Sequence, residues 1–304
     1  MMAAVISLLI FGGKMASMAG SSKDLPDSKT FHLGFSSTTF VNVNQNDAMA
    51  AIKVWARVFA KNLGIPTDPV PYLLNGVDDI RDAIRSRQVD TVALSVNEFW
   101  VLREDMDPKN FIVGITDGDI HEQYVLLVHP ESAFTNVSDL MGKRLTILQN
   151  SRMNLARVWL ETVMAEGGCG VEKKITINQA PTISKAVLPL FFRQIDACVV
   201  NRRGYSTMCE LNPQIGRLKI LATSPQVVPA GFCFRADYQD SIKESIIKNL
   251  DEFVATPAGK QIMTLFQTDA LAIQSVSCLD SAFDLLEAHR RLCGASAPVN
   301  EGNP

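Results

Sequence analysis

The chain has 304 residues, 47% hydrophobic and 20% charged, with 29 lysines and arginines against 32 aspartates and glutamates. A net charge of −3 offers no general basic field, which argues against nucleic acid and anionic membrane surfaces as partners. The length exceeds what one hydrophobic core usually serves, so two lobes are expected.

Met1 to Phe11 is almost wholly apolar and is followed by the small residues of Ala16-Ser-Met-Ala19. Roughly ten apolar residues match a signal-peptide core and are too few to span a bilayer of ~30 Å. Residues 1–20 are therefore expected to be a cleaved leader, although the usual basic start is missing.

Phe31 to Phe35 reads as a strand and Ser36-Ser-Thr-Thr39 as a polar loop. Ala48, Ala51, Ile52, Trp55, Val58 and Phe59 fall at helical spacing, with Gly64 and Pro66 as the stop. A strand from Val70 to Leu74, a helix from Val77 to Ile84 and a strand from Val89 to Val96 follow. Asn97 to Trp100 opens another helix, and Phe111 to Ile115 is a fourth strand. Such alternation implies a parallel, doubly wound sheet with helices on both faces. Asp117-Gly-Asp119 breaks the pattern as turn chemistry. Gln123 to Val128 is apolar enough to be a first crossing into another lobe.

That second lobe is expected to contain strands at Arg144 to Leu148, Ile175 to Ile177, Asp196 to Val200 and Leu218 to Ala222. Its helices are Ser151 to Ala165, Thr182 to Gln194 and Arg202 to Leu211. Val227 to Phe234 returns to the first lobe, on whose outside helices Ile242 to Phe253, Pro257 to Phe266 and Leu279 to Leu292 are expected to lie. The limits are 30–120 and 224–293 for the first lobe, 125–222 for the second, and 294–304 for a frayed tail. Two crossings leave a cleft at the carboxyl ends of both sheets, where open α/β sheets bind ligands.

Six cysteines are compatible with an oxidising compartment, and their pairing is open. Cys278 and Cys293 flank one helix and are too far apart to bridge. Cys198 and Cys233 read as buried thiols in strands. Cys169, in a turn, and Cys209, at a helix end, could bridge within one lobe.

Three phrases carry a family likeness: Gly76 to Ser95, ending in Val-Asp-Thr-Val-Ala; Val137-Ser-Asp-Leu-Met-Gly-Lys-Arg144; and Arg193-Gln-Ile-Asp-Ala-Cys-Val-Val200. In this order the chain resembles two-lobed, type 2 periplasmic solute-binding proteins, and among them the phosphate/phosphonate-binding subunits of ABC importers. The resemblance implies an α/β fold of two mostly parallel sheets, periplasmic location, and a small anionic solute delivered to a membrane permease or reported to a membrane sensor. A monomer without cofactor, metal or catalytic residue is expected.

The resemblance also places candidate ligand contacts. They are Ser37, Thr38 and Thr39 after the first strand, and Ser95, Asn97 and Glu98 at the exit of the third. In the second lobe they are Asn150, Ser151 and Arg152, with Asn201 and Arg202 at a later strand end. Hydroxyls and amides donate to an oxyanion without a charge to desolvate, and arginine adds a bidentate fork. Arg202 and Arg203 point about 100° apart on a helix, so one of the two faces the cleft. Tyr124 and Tyr205 are candidates at the hinge and the second lobe's rim. The family's Ser-Thr-Ser-Gly phrase is here Asn150-Ser-Arg-Met153, so a carboxylate or a larger phosphorylated compound suits as well as a phosphonate.

His32, His121, His129 and His289 have no metal spacing, and no nucleophile elbow, Walker loop or dinucleotide fingerprint occurs. The alternative readings are a cytoplasmic enzyme of menaquinone-pathway type acting on a carboxylated substrate, or a ligand-sensing receptor.

Overall fold

A computed structural model of the protein describes residues 30–41, 44–62, 69–169 and 176–294. The expected leader lies outside the described residues, as does the expected tail beyond Gly294.

Strands β1 (Phe31–Ser36), β2 (Pro69–Leu74), β3 (Thr91–Ser95) and β4 (Met106–Ile115) begin one sheet. Strands β5 (Tyr124–Val128), β6 (Arg144–Leu148), β7 (Thr176–Ala180), β8 (Ala197–Asn201) and β9 (Lys219–Thr223) form a second. Strands β10 (Ala230–Arg235) and β11 (Ala270–Gln274) complete the first. The orders are β11-β4-β10-β3-β1-β2 and β7-β6-β8-β5-β9. In the first sheet β1, β2, β3 and β4 share one direction, and β10 and β11 oppose it. In the second, only β5 opposes the other four. Most strands of each sheet thus share one direction, while the pairings are mixed, with β10, β11 and β5 making the antiparallel ones. The strand arriving from the opposite lobe is inserted antiparallel, starting where its neighbours end. Ala230 pairs with Ser95, and Tyr124 with Asn201. The two connections pair in turn through Glu122 and Val227.

The helices are α1 (Gln45–Asn62), α2 (Gly76–Arg85), α3 (Val96–Leu102), α4 (Ala156–Glu166), α5 (Ile183–Phe191), α6 (Arg202–Leu211), α7 (Ser241–Lys248), α8 (Leu250–Ala255), α9 (Pro257–Leu265) and α10 (Asp280–Cys293). α2 shows why the sequence folds so locally. Ile80, Ala83 and Ile84 bury one face, Asp78 and Asp79 sit at the positive end of the dipole, and Arg85 sits at the negative end. One face of the first sheet, with Phe31, Leu33, Phe35, Ala93, Ile112 and Phe234, packs under α1 and α7 to α9. The other face, with Val92, Leu94, Phe111 and Val113, shares a core with α2, α3 and α10 that continues into the second lobe.

Several expectations are corrected. α4 starts at Ala156 rather than Ser151, because the Asn150 side chain caps a turn instead of the helix. β7 runs on to Ala180. The helix expected from Ile242 to Phe253 is two, α7 and α8, separated at Asn249, which ends α7. β11 was not anticipated. α10 is not confined to the first lobe's outside: it packs on α4 of the second. There the buried His289 places Nε2 2.9 Å from Glu161 Oε2. All six thiols are free, Cys169 and Cys209 included. Burial pushes the Cys198 and Cys233 thiols far up in pKa, so both are packing groups rather than nucleophiles.

Candidate functional site

The carboxyl ends of β1 and β3 are joined by one buried carboxylate. Glu98, 4% exposed, accepts from Ser36 Oγ at 2.5 Å, Thr38 Oγ1 at 3.0 Å, and Ser95 Oγ and N at 2.8 Å each. With Ser95 as cap and Glu98 three residues on, α3 starts with a reciprocal capping box. Of the expected contacts on this side, Glu98 is therefore a fastener whose oxygens are taken. Thr38, Thr39 and Ser95 border the cavity described below, and Ser37 stands on the same short turn outside its wall. Asn97 instead reaches the other lobe, donating to the Asn154 carbonyl at 3.3 Å.

On the second lobe the link between β6 and α4 is held from below. Asn150 Oδ1 accepts from the Arg152 N–H at 3.0 Å, and the Tyr124 hydroxyl donates to the Arg152 carbonyl at 2.9 Å. Tyr124 is wholly buried, and burial raises its pKa, aided by the Glu122 carboxylate. It is a prop for the loop, not a surface a solute reaches. So supported, the Arg152 guanidinium crosses to the first lobe. It donates to Glu122 Oε1 at 2.6 Å, to the Gln267 carbonyl at 3.0 Å and to Thr116 Oγ1. Asn154 crosses beside it to the Pro229 carbonyl at 2.5 Å. The amide oxygens of Asn97 and Asn154 are buried without a protein partner, two acceptors in the seam between the lobes.

Glu122 is the hub, 2% exposed on the connection into β5. Besides Arg152 it meets Arg203 Nη1 at 3.2 Å and Asn201 Nδ2 at 3.5 Å. Arg203 Nε also lies 3.0 Å from Asp117 Oδ2. Asp117 and Gly118, both at positive φ, form the tight turn between Thr116 and Asp119 that presents this carboxylate. The 100° rotation between adjacent helix positions thus selects Arg203 for the crevice. The singled-out Arg202 turns to Gln123 Oε1 at 2.6 Å and Thr223 Oγ1 at 3.3 Å. Tyr205 is not at the rim: its buried hydroxyl faces the Ile215 and Leu218 carbonyls at 3.2 and 3.3 Å.

The crevice is bridged without being filled. A cavity of about 100 Å³ remains on the first-lobe side. Thr38, Thr39, Ser95 and Thr268 border it with hydroxyls, Ser151 and Arg152 close it from the second lobe, and Ala230 to Phe232, Phe266 and Leu271 give it apolar walls. Among the described residues Arg152 is the one charged side chain lining it. Glu122, Gln267 and Thr268 were missed by the sequence reading, which named Arg203 beside Arg202. Each of the three reaches the site through a contact at least 30 residues away in sequence, and no motif marks it. Among the described residues no cluster of histidine, cysteine and carboxylate suits a metal ion.

Comparison with known proteins agrees with this architecture. The sequence model of the family described as ABC transporter, phosphonate, periplasmic substrate-binding protein matches residues 39–277. A binding-protein component of an ABC phosphonate transporter from Pseudomonas aeruginosa is 14% identical, with a TM-score of 0.56 and 88% of each chain covered. A Xanthomonas citri protein solved with bound ATP has a TM-score of 0.62 at 13% identity, over 86% of this chain and 98% of that one. The PhnD1 protein of Prochlorococcus marinus, in complex with methylphosphonate, has a TM-score of 0.54 at 15% identity, over 87% and 98%. At such identities the likeness is one of fold. No curated protein sequence matches the chain.

Proposed function

This chain belongs to the family of periplasmic substrate-binding proteins of phosphonate ABC transporters, and we propose that it captures a small anion in the crevice beneath Arg152. The observation that carries this is Arg152 itself. It comes from the second lobe, ends against the first, and among the described residues is the only charged group on a cavity bordered by hydroxyl-bearing and apolar residues. A solute oxyanion there replaces the Gln267 carbonyl as acceptor for Nη2 and takes a further hydrogen bond from Ser151, while Thr38 and Thr39, whose hydroxyl protons go to Glu98 and the Ser36 carbonyl, border it. Charge-assisted bonds of this kind are about twice as strong as neutral ones. Because residues of both lobes border the cavity, the bound solute favours the closed arrangement, and opening at the paired segments around Glu122 and Val227 releases it.

The lobes are taken as residues 30–120 with 224–293, and 125–222. Capture and delivery to a permease are the family's task, so the chain is assigned no catalytic step. Export rests on the family and on the apolar leader.

Titration calorimetry with methylphosphonate, inorganic phosphate, methanesulfonate and acetate tests the reading. Saturable binding of at least one, weakened by Arg152→Ala, is expected. A neutral isostere that binds more tightly than all four overturns it.

A further inference from the structure

Behind the crevice cavity lies a second one of about 70 Å³. Leu33 of β1, Trp55 and Ala56 of α1, Phe234 of β10, Ile246 of α7 and Leu250 of α8 line it. Its one hydroxyl, on Thr91, is occupied by the Cys233 carbonyl at 3.0 Å. The two cavities share Ile112, Phe232 and Leu271 as a common wall.

They also share a surface. Thr91, Ala93 and Ser95 are alternate residues of β3 and so lie on one face of the sheet. Ser95 and Ala93 border the front cavity, and Thr91 borders the rear one. On β10, Ala230 belongs to the front, Phe234 to the rear, and Phe232 to both. The pair therefore runs end to end under the helices, and four residues at ~3.3 Å each make it roughly 13 Å long. Protein interiors are close-packed, and an empty apolar void costs stability in proportion to its volume. A void that adjoins a solute cavity loses that cost when the solute itself extends into it.

We propose that the solute is an amphiphilic anion. Its head is held by Arg152 and Ser151 at the crevice, and its unbranched apolar tail passes Ile112, Phe232 and Leu271 into the rear chamber. This rests on the solute-binding reading above and narrows it. Among the described residues the lining of the rear chamber is apolar apart from the Thr91 hydroxyl and the Trp55 indole N–H, so a charged group on the tail is rejected, while added methylenes are accepted until the chamber is full.

The test is a chain-length series on the full protein by titration calorimetry: alkylphosphonates, alkanesulfonates and alkanoates with one, two, four, six and eight carbons. Affinity is expected to rise about fourfold per methylene over the first members, the yield of burying a CH₂, and then to level off. Ala56→Leu, which fills the rear chamber, is expected to abolish the gain from longer tails and to leave the shortest member unchanged. Ile246→Phe enters from the opposite wall and serves if Ala56→Leu does not fold. Binding that is independent of chain length overturns the tail chamber while leaving anion capture intact. A chain-length gain that survives the filling substitutions also overturns the chamber. Failure of every member of all three series overturns both readings.

Discussion

Arg152 Nη1 of the second lobe stands 2.6 Å from Glu122 Oε1 on the connection between the lobes, and the Glu122 side chain is 2% exposed. A buried carboxylate of this kind is tolerable only while it is paired. Arg152 and Arg203 both supply that pairing, so the loop before α4 and the start of α6 are drawn to the same point.

Glu122→Gln leaves two arginines without their shared anion. A loss of roughly 2–4 kcal/mol is expected, somewhat below the ~3–5 kcal/mol of a fully buried broken pair because both arginines keep some access to water. Urea denaturation followed by circular dichroism measures it. A loss below about 0.5 kcal/mol would show that the hub is dispensable.

Arg152→Ala removes both the bridge between the lobes and the anion's charged donor. Affinity for the best-binding anion should fall tenfold or more, since hydrogen bonds to charged groups are worth ~1.5–3 kcal/mol. The solute-free variant should have a larger radius of gyration by small-angle scattering than the parent. An unchanged radius would assign the closed arrangement to other contacts.

The pair of Asp107 and Lys243, 2.7 Å apart and both nearly buried, sets an acid limit. Burial pushes the Asp107 carboxyl up in pKa, but hydrogen bonds from Asn110, Lys243 and the Lys109 N–H outweigh it, so the group lies below the usual carboxylate range. A carboxylate held down in this way adds stability that is fully present above the unfolded value near ~3.9, and is lost as pH falls through the lower folded value. Thermal melts should therefore fall off below about pH 4. Asp107→Asn should lose roughly 3–5 kcal/mol at neutral pH, because Lys243 stays buried unpaired, and should show a flatter acid limb. An acid limb as steep as the parent's would count against this pair.

Gly231 lies where β10 passes β4. A Cβ there would stand 2.7 Å from the Ile112 carbonyl oxygen and 2.7 Å from the Phe111 ring. Backbone cannot yield as a flexible side chain would, so Gly231→Ala should destabilise by roughly 1–3 kcal/mol. Because Ala230 to Phe232 line the crevice cavity, it should also weaken solute binding. Wild-type stability and affinity together would mean that the two strands separate freely.

What the sequence made legible was local. Val89 to Val96 reads as a strand from its own apolar run, α2 from its spacing and terminal charges, and the Thr38, Ser95 and Ser151 regions from their place after strands. The remainder depends on partners distant in sequence. β11 becomes a strand by pairing Ala270 to Gln274 with Ile115 to Phe111, which no periodicity in five residues announces. Its turn in from α9 brings Gln267 and Thr268 to the cavity wall. Tyr124 at the hinge and Tyr205 at the second lobe's rim looked like ligand contacts because an aromatic with a hydroxyl suits both a surface and an interior. What decides is the carbonyl that each hydroxyl meets, and in both cases that carbonyl lies inside. Glu122, one polar residue before an apolar strand, is indistinguishable in sequence from an ordinary strand edge until Arg152 and Arg203 converge on it.

Helix α10 leaves the first lobe after β11 yet rests on α4 of the second, with His289 against Glu161. The molecule is thus stitched at its rear by a third strap besides the two hinge segments. Any parting of the lobes at the Arg152 side must bend α10 or carry α4 with it.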